Sequence, residues 1–343
     1  MTQAVASSDA TLASARHLAD QLLFPGANAT DSSGRVPKAN LDALAAAGFY
    51  GLVGPTAIKG LDADPTMIGR VIEAFAGSCL TTTFIWTQHH VAVRLVGAAS
   101  PEVASRWGPG LCSGAIRAGV AFAHLRRDGP SPVVATPGRD GSWTVRGTAN
   151  WMTGWGAVDV INVAAVHGNR IVWFLCDAVE GPTLSVTPLT LAAVNASGTV
   201  TLRLDDHLVT PDRVIAAHDL ETWRARDRLG LRQNGSFPIG LAARCISLLG
   251  DKVIGAALFE QLDAARADLD APAGTNDPAI LAAARARASL FAVRCATALV
   301  ASQAGRSIVT DSHAQRLARE AMFLLVQGQT GPIRAAQLDL LLH

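Results

Sequence analysis

The strongest constraint on the fold is the order of two kinds of periodicity along the chain. Short runs rich in β-branched and aromatic residues, such as GSWTVRGTANWMTG, VDVINVAAV and GTVTLRLDDHLV, fill the middle of the sequence. Helical spacing of apolar residues dominates before and after them. This order predicts an α+β protein with an N-terminal helical domain (1–116), a central antiparallel β-barrel or sheet (117–217) and a C-terminal helical bundle (218–343).

Proline and glycine set the predicted helix boundaries. The first apolar stripe is predicted to end at Pro25–Gly26, and the segment 107–114 (WGPGLCSG) is predicted as a break between helices. Pro37 predicts a helix start, and Gly250 marks a break in the C-terminal third. The run PAILAAARARASLFAVRCATALVASQAG is apolar on nearly every face, which predicts a helix buried in a bundle or at a subunit interface.

Composition excludes several classes of protein. A net charge of +1 lacks the basic excess of a nucleic-acid-binding protein, and no run approaches the ~20 apolar residues of a membrane span. The five cysteines form no CxxC pair, so neither disulfides nor a metal site is expected. No signal-peptide pattern opens the chain and no GxGxxG follows a predicted strand. We therefore expect a cytoplasmic protein with a small-molecule ligand.

Several strings resemble segments of one enzyme family. DGSWTVRGTANWMTGWGAVDVINVAA resembles the strand pair of acyl-CoA dehydrogenases that ends in Trp-Ile-Thr, and TTTFIWTQHHVAVRLVG resembles their helix beside the substrate cavity. The resemblance runs from about Phe24 to Leu342, and on it the chain is identified as a shortened, divergent member of the acyl-CoA dehydrogenase superfamily. It implies an FAD-dependent oxidoreductase acting on the CH–CH group of an acyl-CoA or acyl-carrier thioester.

The resemblance also implies a set of flavin-contacting residues. The Trp-Ile-Thr strand corresponds to Trp151, Met152 and Thr153, where an aromatic side chain would cover apolar ring surface and a hydroxyl would meet a ring heteroatom. Ala123 and His124 stand where the family has a Thr-Glu pair that holds the flavin pyrimidine.

Other implied contacts involve the phosphates and a neighbouring subunit. Ser131 lies in the loop after Ala123, beside the basic pair Arg126–Arg127, which could meet a phosphate. Arg266 would reach the flavin pyrophosphate, since a guanidinium pairs well with phosphate oxygens. Gln303 and Gly305 would approach the dinucleotide across a subunit interface, which implies a homodimer or homotetramer.

The sequence departs from the family at the catalytic base. The family's glutamate corresponds to Gln327 in FLLVQGQTGPIR, and an amide takes no proton at pH 7. A second family position for the base falls near Gly230, again without a carboxylate. His89 and His90 are candidate substitutes because histidine titrates near neutral pH, whereas Glu320 is expected at the surface or an interface. If the substrate cavity is intact, glutamate at position 327 is expected to create or raise dehydrogenation.

Three functions remain open from the sequence. The first is an acyl-CoA dehydrogenase-like enzyme with an unconventional base. The second is a flavin- or acyl-binding subunit of a hetero-oligomer with no chemistry of its own, which the missing carboxylate favours. The third is a monooxygenase on the same fold, which uses reduced flavin and oxygen and needs no α-proton base.

Overall fold

The computed structural model describes residues 2–126, 129–229, 231–271 and 277–342, and Arg127 and Gly230, named above, lie outside them. The predicted order of helices, strands and helices is confirmed. The N-terminal helices are α1 (Thr2–Leu18), α2 (Phe24–Ser33), α3 (Lys38–Ala46), α4 (Pro65–Ala76), α5 (Leu80–Gly97) and α6 (Pro101–Ser113). The strands are β1 (Ala118–Ala121), β2 (Val133–Pro137), β3 (Trp143–Met152), β4 (Val160–His167), β5 (Arg170–Asp177), β6 (Leu184–Pro188), β7 (Val200–Val209) and β8 (Val214–Asp219). The C-terminal helices are α7 (Leu220–Leu229), α8 (Leu231–Ser247), α9 (Lys252–Asp270), α10 (Pro278–Gln303), α11 (His313–Val326) and α12 (Gly331–Leu342).

Among the described helices, none is long and apolar enough to cross a membrane.

The strands form one sheet in the order β6-β7-β3-β2-β4-β5-β8, and β1 pairs with β4. Most neighbours are antiparallel, as predicted, but β1 and β2 both run parallel to β4. The two strands share one edge of β4, where β1 pairs with its first half and β2 with residue Val166 near its end. The sheet is therefore mixed.

Two predicted helix breaks are wrong. The chain passes from α1 through a π-helical turn, Ala19–Leu23, directly into α2, so Pro25 follows this turn without ending the helix. Pro109 is accommodated inside α6, which ends only at Ser113. The predicted start at Pro37 and the break near Gly250 are confirmed.

The two faces of the sheet enter different cores. On β4, Val160 and Ala164 pack with the helices, whereas Ile161, Val163 and Ala165 pack with residues of the other strands. This alternation follows from the two-residue repeat of a strand. All five cysteines are buried and unpaired, so their predicted role as small core residues is confirmed.

The N-terminal and C-terminal helices meet where α4 gives way to Gly77 and α8 passes at Gly240. A Cβ on Gly77 would lie 2.4 Å from the Gly240 oxygen, and a Cβ on Gly240 would lie 2.1 Å from the Glu73 oxygen. Only residues without a side chain allow the two backbones to approach so closely.

A buried ion pair stabilises α11 in the same helical core. Glu320 accepts two hydrogen bonds of 2.8 Å from Nη1 of Arg316, and both side chains are almost fully buried. The Arg316 guanidinium also donates to Asn28 and contacts the ring nitrogen of His313. The expectation that Glu320 lies at the surface or at an interface is therefore wrong, because Glu320 is buried within the single chain and pairing one turn away offsets the cost of burying its charge.

We expect Gly240→Ala to lower the free energy of unfolding by about 3 kcal/mol, because its methyl group forces the α4–α8 crossing apart. Gly255→Ala is the matched control, since Gly255 is buried in α9 but no atom lies within 4 Å of its Cβ position. That variant should be neutral or gain up to about 1 kcal/mol. Urea unfolding measures both, and equal effects would contradict the crossing as the cause.

Candidate functional site

The end of β3 departs from regular strand geometry at the residues that resemble the flavin-facing triplet. A β-bulge separates Ala149 from Met152, and Trp151 has a φ of 66°, a left-handed conformation that non-glycine residues seldom adopt. The Trp151 side chain is 51% exposed, whereas Met152 is fully buried among the other strands. Trp151 is thus a large aromatic surface at the strand end, and Met152 is a core residue.

Thr153 begins a row of side chains across the sheet. It forms a bridge with Val120 of β1, which in turn pairs with Asn162 of β4. Paired residues point to the same face, and Val120 packs in the helix-facing core. The Thr153 hydroxyl lies 3.0 Å from the Thr199 hydroxyl.

Asn162 is fully buried in this row, and neither its amide nitrogen nor its oxygen has a hydrogen-bond partner in the described chain. On the same sheet face, the indole nitrogen of Trp173 is also buried without a partner. Buried polar groups are rarely left unpaired, because each costs about 1–3 kcal/mol. A ligand with polar atoms at this seam would satisfy them.

The turn after β1 is tied to α7. Ala123 opens a 3₁₀ turn that ends at Arg126. Nε and Nη2 of Arg126 donate to both carboxylate oxygens of Asp227 at 2.7 and 2.8 Å, and its guanidinium lies 4.8 Å from the centre of the Phe122 ring. Arg126 therefore already has an anionic partner. Ser131 shapes the start of β2, because its hydroxyl donates to the Val133 carbonyl.

The two candidate histidines on α5 differ in their surroundings. His89 has both ring nitrogens engaged at 3.0 Å, Nε2 donating to the Leu111 carbonyl and Nδ1 accepting from the Ala118 amide. Burial lowers the pKa of His89 to about 3, so this ring pins α6 and β1 together as a neutral group. His90 is buried against Trp86, and its Nε2 has no partner in the described chain. Burial lowers its pKa well below the usual value.

Gln327 follows α11 and faces a buried cation. Nη2 of Arg285 donates to both the side-chain and main-chain oxygens of Gln327 at 3.2 Å, and it also approaches the Leu324 carbonyl. Arg285 is 1% exposed, its Nε has no partner, and no carboxylate pairs with it among the described residues. Burial lowers the pKa of Arg285 to about 10, so it remains charged at neutral pH. The surroundings of Gln327, which the sequence predicts to stand at the position of the base, are therefore electropositive.

Arg266 is held inside its own chain. Its Nε and Nη2 donate to Glu73 of α4 at 3.1 and 3.0 Å, and its Nη1 donates to Asp263. Glu73 is buried, so this pair joins α9 to α4 rather than presenting a free guanidinium. The role at a pyrophosphate remains a prediction that this pairing weakens.

Gln303 and Gly305 lie at the C-terminal end of α10. Gly305 is exposed, and Gln303 is half-buried before the 3₁₀ turn Ala304–Ile308. Their surface position fits a contact made across a subunit interface, which remains a prediction.

The structure thus brings Thr153 close to β1, which leads into Ala123. It places Arg266 apart from these residues, where α9 meets α4. Sequence reasoning missed Arg285 and Asn162. A signal for Arg285 was present, since it is one of few charges in the apolar α10. Asn162 stands alone among apolar residues of β4, VINVAAVH.

Comparison with known proteins identifies the fold. The family model described as the acyl-CoA dehydrogenase N-terminal domain matches residues 6–115. Butyryl-CoA dehydrogenase from Megasphaera elsdenii superimposes with a TM-score of 0.82 at 17% identity, covering 98% of each chain. The chain has the acyl-CoA dehydrogenase fold. The predicted resemblance to that superfamily is confirmed.

Two further solved structures share the acyl-CoA dehydrogenase fold with the chain. A glutaryl-CoA dehydrogenase complex with glutaryl-CoA has a TM-score of 0.83 at 18% identity, covering 97% of this chain and 95% of that one. FMN-bound TdsC from Paenibacillus sp. A11-2 has a TM-score of 0.79 at 18% identity, covering 95% and 94%. No curated protein sequence matches the chain. These likenesses establish the fold alone.

We expect Gln327→Glu to create an ion pair with Arg285 instead of a base. The cation would hold the pKa of the new carboxylate below that of the unfolded chain, so the variant should be about 1–2 kcal/mol more stable than wild type at pH 7. This gain should be lost as the pH falls from about 5 to 3, since the unfolded state then binds the extra proton first. Urea unfolding across this pH range measures the effect.

Gln261→Glu is the matched control, because Gln261 accepts from an exposed arginine, Arg294. It should change stability by no more than about 0.5 kcal/mol, and salt should remove the change. A Gln327→Glu variant that loses stability at pH 7, or that dehydrogenates acyl-CoAs, would contradict the assigned electrostatics.

Proposed function

We propose that the chain is a flavin-dependent oxidoreductase whose substrate is an acyl thioester, carried by coenzyme A or an acyl-carrier protein. The observation that carries the proposal is the row Thr153–Val120–Asn162, with the exposed Trp151 beside it. The whole-chain likeness to a butyryl-CoA and a glutaryl-CoA dehydrogenase supports the thioester. Fold alone does not decide chemistry, so the site residues decide between variants of this function.

The residues of the row fit a flavin ring. Trp151 offers an apolar face, and Thr153 can form a second hydrogen bond because a hydroxyl both donates and accepts. Asn162 offers an unpaired donor and acceptor. A bound FAD would supply the two-electron acceptor. The protein would hold its ring against the strand end and exclude water at the helix-facing seam.

The environment of Gln327 favours a reaction without a carboxylate base at that position. Its oxygen accepts from Arg285, which leaves its amide N–H groups to donate to an acceptor such as a carbonyl oxygen. Neither the amide nor the guanidinium takes a proton at neutral pH, and His89 has no free ring nitrogen. This observation favours, as a second candidate, a flavin-dependent monooxygenase over a conventional dehydrogenase.

An oligomer is part of the proposal. Several large apolar side chains of the C-terminal helices and the turn before α11 are more than half exposed, namely Ile308, Val309, Met322, Val326, Leu338, Leu341 and Leu342. Exposed apolar groups of this size are typical of protein interfaces. We infer a homodimer or homotetramer, in which Gln303 and Gly305 of one subunit approach the flavin of another.

We expect Asn162→Leu to have opposite effects on stability and on flavin binding. Without flavin the variant should gain about 1 kcal/mol or more, because an unpaired buried amide is removed. Its dissociation constant for FAD should rise about tenfold, since each lost hydrogen bond to the ring costs on the order of 1 kcal/mol. Urea unfolding and fluorescence titration with FAD measure the two effects.

Arg266→Ala provides the opposite pattern as a control. It should lower the free energy of unfolding by about 3 kcal/mol by leaving Glu73 without its main partner, and it should leave FAD affinity unchanged. An Asn162→Leu variant that binds FAD as tightly as wild type would remove Asn162 from the flavin site. If Arg266→Ala weakened FAD binding without lowering the free energy of unfolding, the predicted contact of Arg266 with the flavin pyrophosphate would be supported.

The visible spectrum after incubation with FAD and desalting tests the function directly. We expect a retained flavin band that shifts when acyl-CoAs are added without oxygen. Bleaching of the band by an acyl-CoA would assign a dehydrogenase, whereas turnover that requires both reduced flavin and oxygen would assign a monooxygenase. A protein that retains no flavin and gives no turnover would overturn the proposal in favour of a non-catalytic partner subunit.

A further inference from the structure

A cavity of about 300 Å³ opens between the N-terminal and C-terminal helices. It is lined by small residues and by six charged ones, namely Arg16, Asp20, Arg70, Glu73, Arg244 and Arg266. Apart from Arg266, none of these belongs to the candidate flavin site. Four arginines and two carboxylates line the cavity, and Asp263 pairs with Arg266 from outside the lining, so the cluster keeps an excess of one positive charge.

The two carboxylates are already neutralised by the inner arginines. Glu73 accepts from Nε and Nη2 of Arg266, and Asp20 accepts from Nη2 of Arg244. These two arginines are only 15% and 20% exposed. Neither carboxylate is therefore free to balance a further cation.

Arg244 is also fixed in orientation. Its Nε donates to the Gly77 carbonyl at 3.0 Å, Nη2 donates to the Ser78 hydroxyl at 3.1 Å, and the guanidinium lies 4.4 Å from the centre of the Phe24 ring. Its Nη1 makes no hydrogen bond within the described chain. A guanidinium that is already fixed and has unused N–H donors loses little side-chain entropy when it binds an anion.

The excess charge rests on Arg16 and Arg70. In the described part of the chain, Arg16 has no hydrogen-bond or ion-pair partner and is exposed. Arg70 has one contact, 3.4 Å from Nη1 to a Glu73 oxygen that Arg266 approaches more closely. Both side chains line the cavity and retain donors that can reach into it.

We propose that this cavity binds the phosphate group of a small phosphorylated molecule. A phosphate is an anion at neutral pH, which suits the positive lining, and its oxygens accept from paired guanidinium donors. Arg244 would hold the anion at depth, and Arg16 and Arg70 would close around it. The cavity leaves room for an organic group beside the phosphate.

Calorimetric titration of the full chain with inorganic phosphate, diphosphate and AMP, at constant ionic strength, tests the proposal. We expect saturable binding, and tighter binding of AMP than of phosphate would identify a phosphorylated metabolite rather than the free ion as the ligand. The variant Arg16→Gln/Arg70→Gln should raise the dissociation constants at least tenfold, because it removes two charge-assisted contacts. Neither residue stabilises a buried partner alone, so the variant should fold.

Arg139→Gln is the control, because Arg139 is an exposed arginine outside the cavity. It should bind the three ligands as wild type does. The proposal would be overturned if wild type showed no saturable binding, or if the double variant bound the ligands with the same affinity as wild type. It would also be overturned if added chloride gave the same titration signal as phosphate. Flavin retention measured on the same double variant should be unchanged, so this test is independent of the proposed oxidoreductase function.

Discussion

The close contact of Gly77 with Gly240 is the constraint on which the arrangement of the helices depends. It lets two regions far apart in sequence share one core, and it brings Glu73 of α4 within reach of Arg266 of α9. The same approach forms the floor of the arginine-lined cavity. Because the crossing excludes side chains, the polar groups around it pair with one another, as Arg266 does with Glu73.

Neutral and cationic groups occupy the two places that the sequence suggested for a base or its substitute. His89 is neutral because burial disfavours its charged form while backbone groups saturate both nitrogens. Arg285 stays charged because the carbonyls at the end of α11 and the Gln327 side-chain oxygen accept hydrogen bonds from its guanidinium. The negative end of the helix dipole is thus its principal counter-charge. In both arrangements the polar atoms are engaged in contacts that hold the structure together.

The sequence predicted the fold well because its signals are local and repeated. Strand and helix periodicities over 343 residues gave the three parts in order, and Pro37 and Gly250 marked true boundaries. Pro25 and Pro109 led to wrong predictions of helix ends, because the helix continues past Pro25 after a π-helical turn and α6 continues through Pro109. The partners of charged residues were not predictable, since Arg266 with Glu73 and Arg126 with Asp227 are separated by about a hundred residues or more. Such pairs depend on packing angles that no local pattern encodes.

The identity of residue 327 has a different meaning once its neighbour is known. From sequence, glutamine there is the loss of a base. In the structure, a glutamate would pair with Arg285, whereas glutamine leaves the buried cation without a carboxylate partner and keeps its own amide N–H groups as donors. The electropositive site that results stabilises negative charge on a ligand oxygen better than it removes a proton. Under the proposed function, a carbonyl oxygen that gains electron density would suit these surroundings better than an acidic C–H bond.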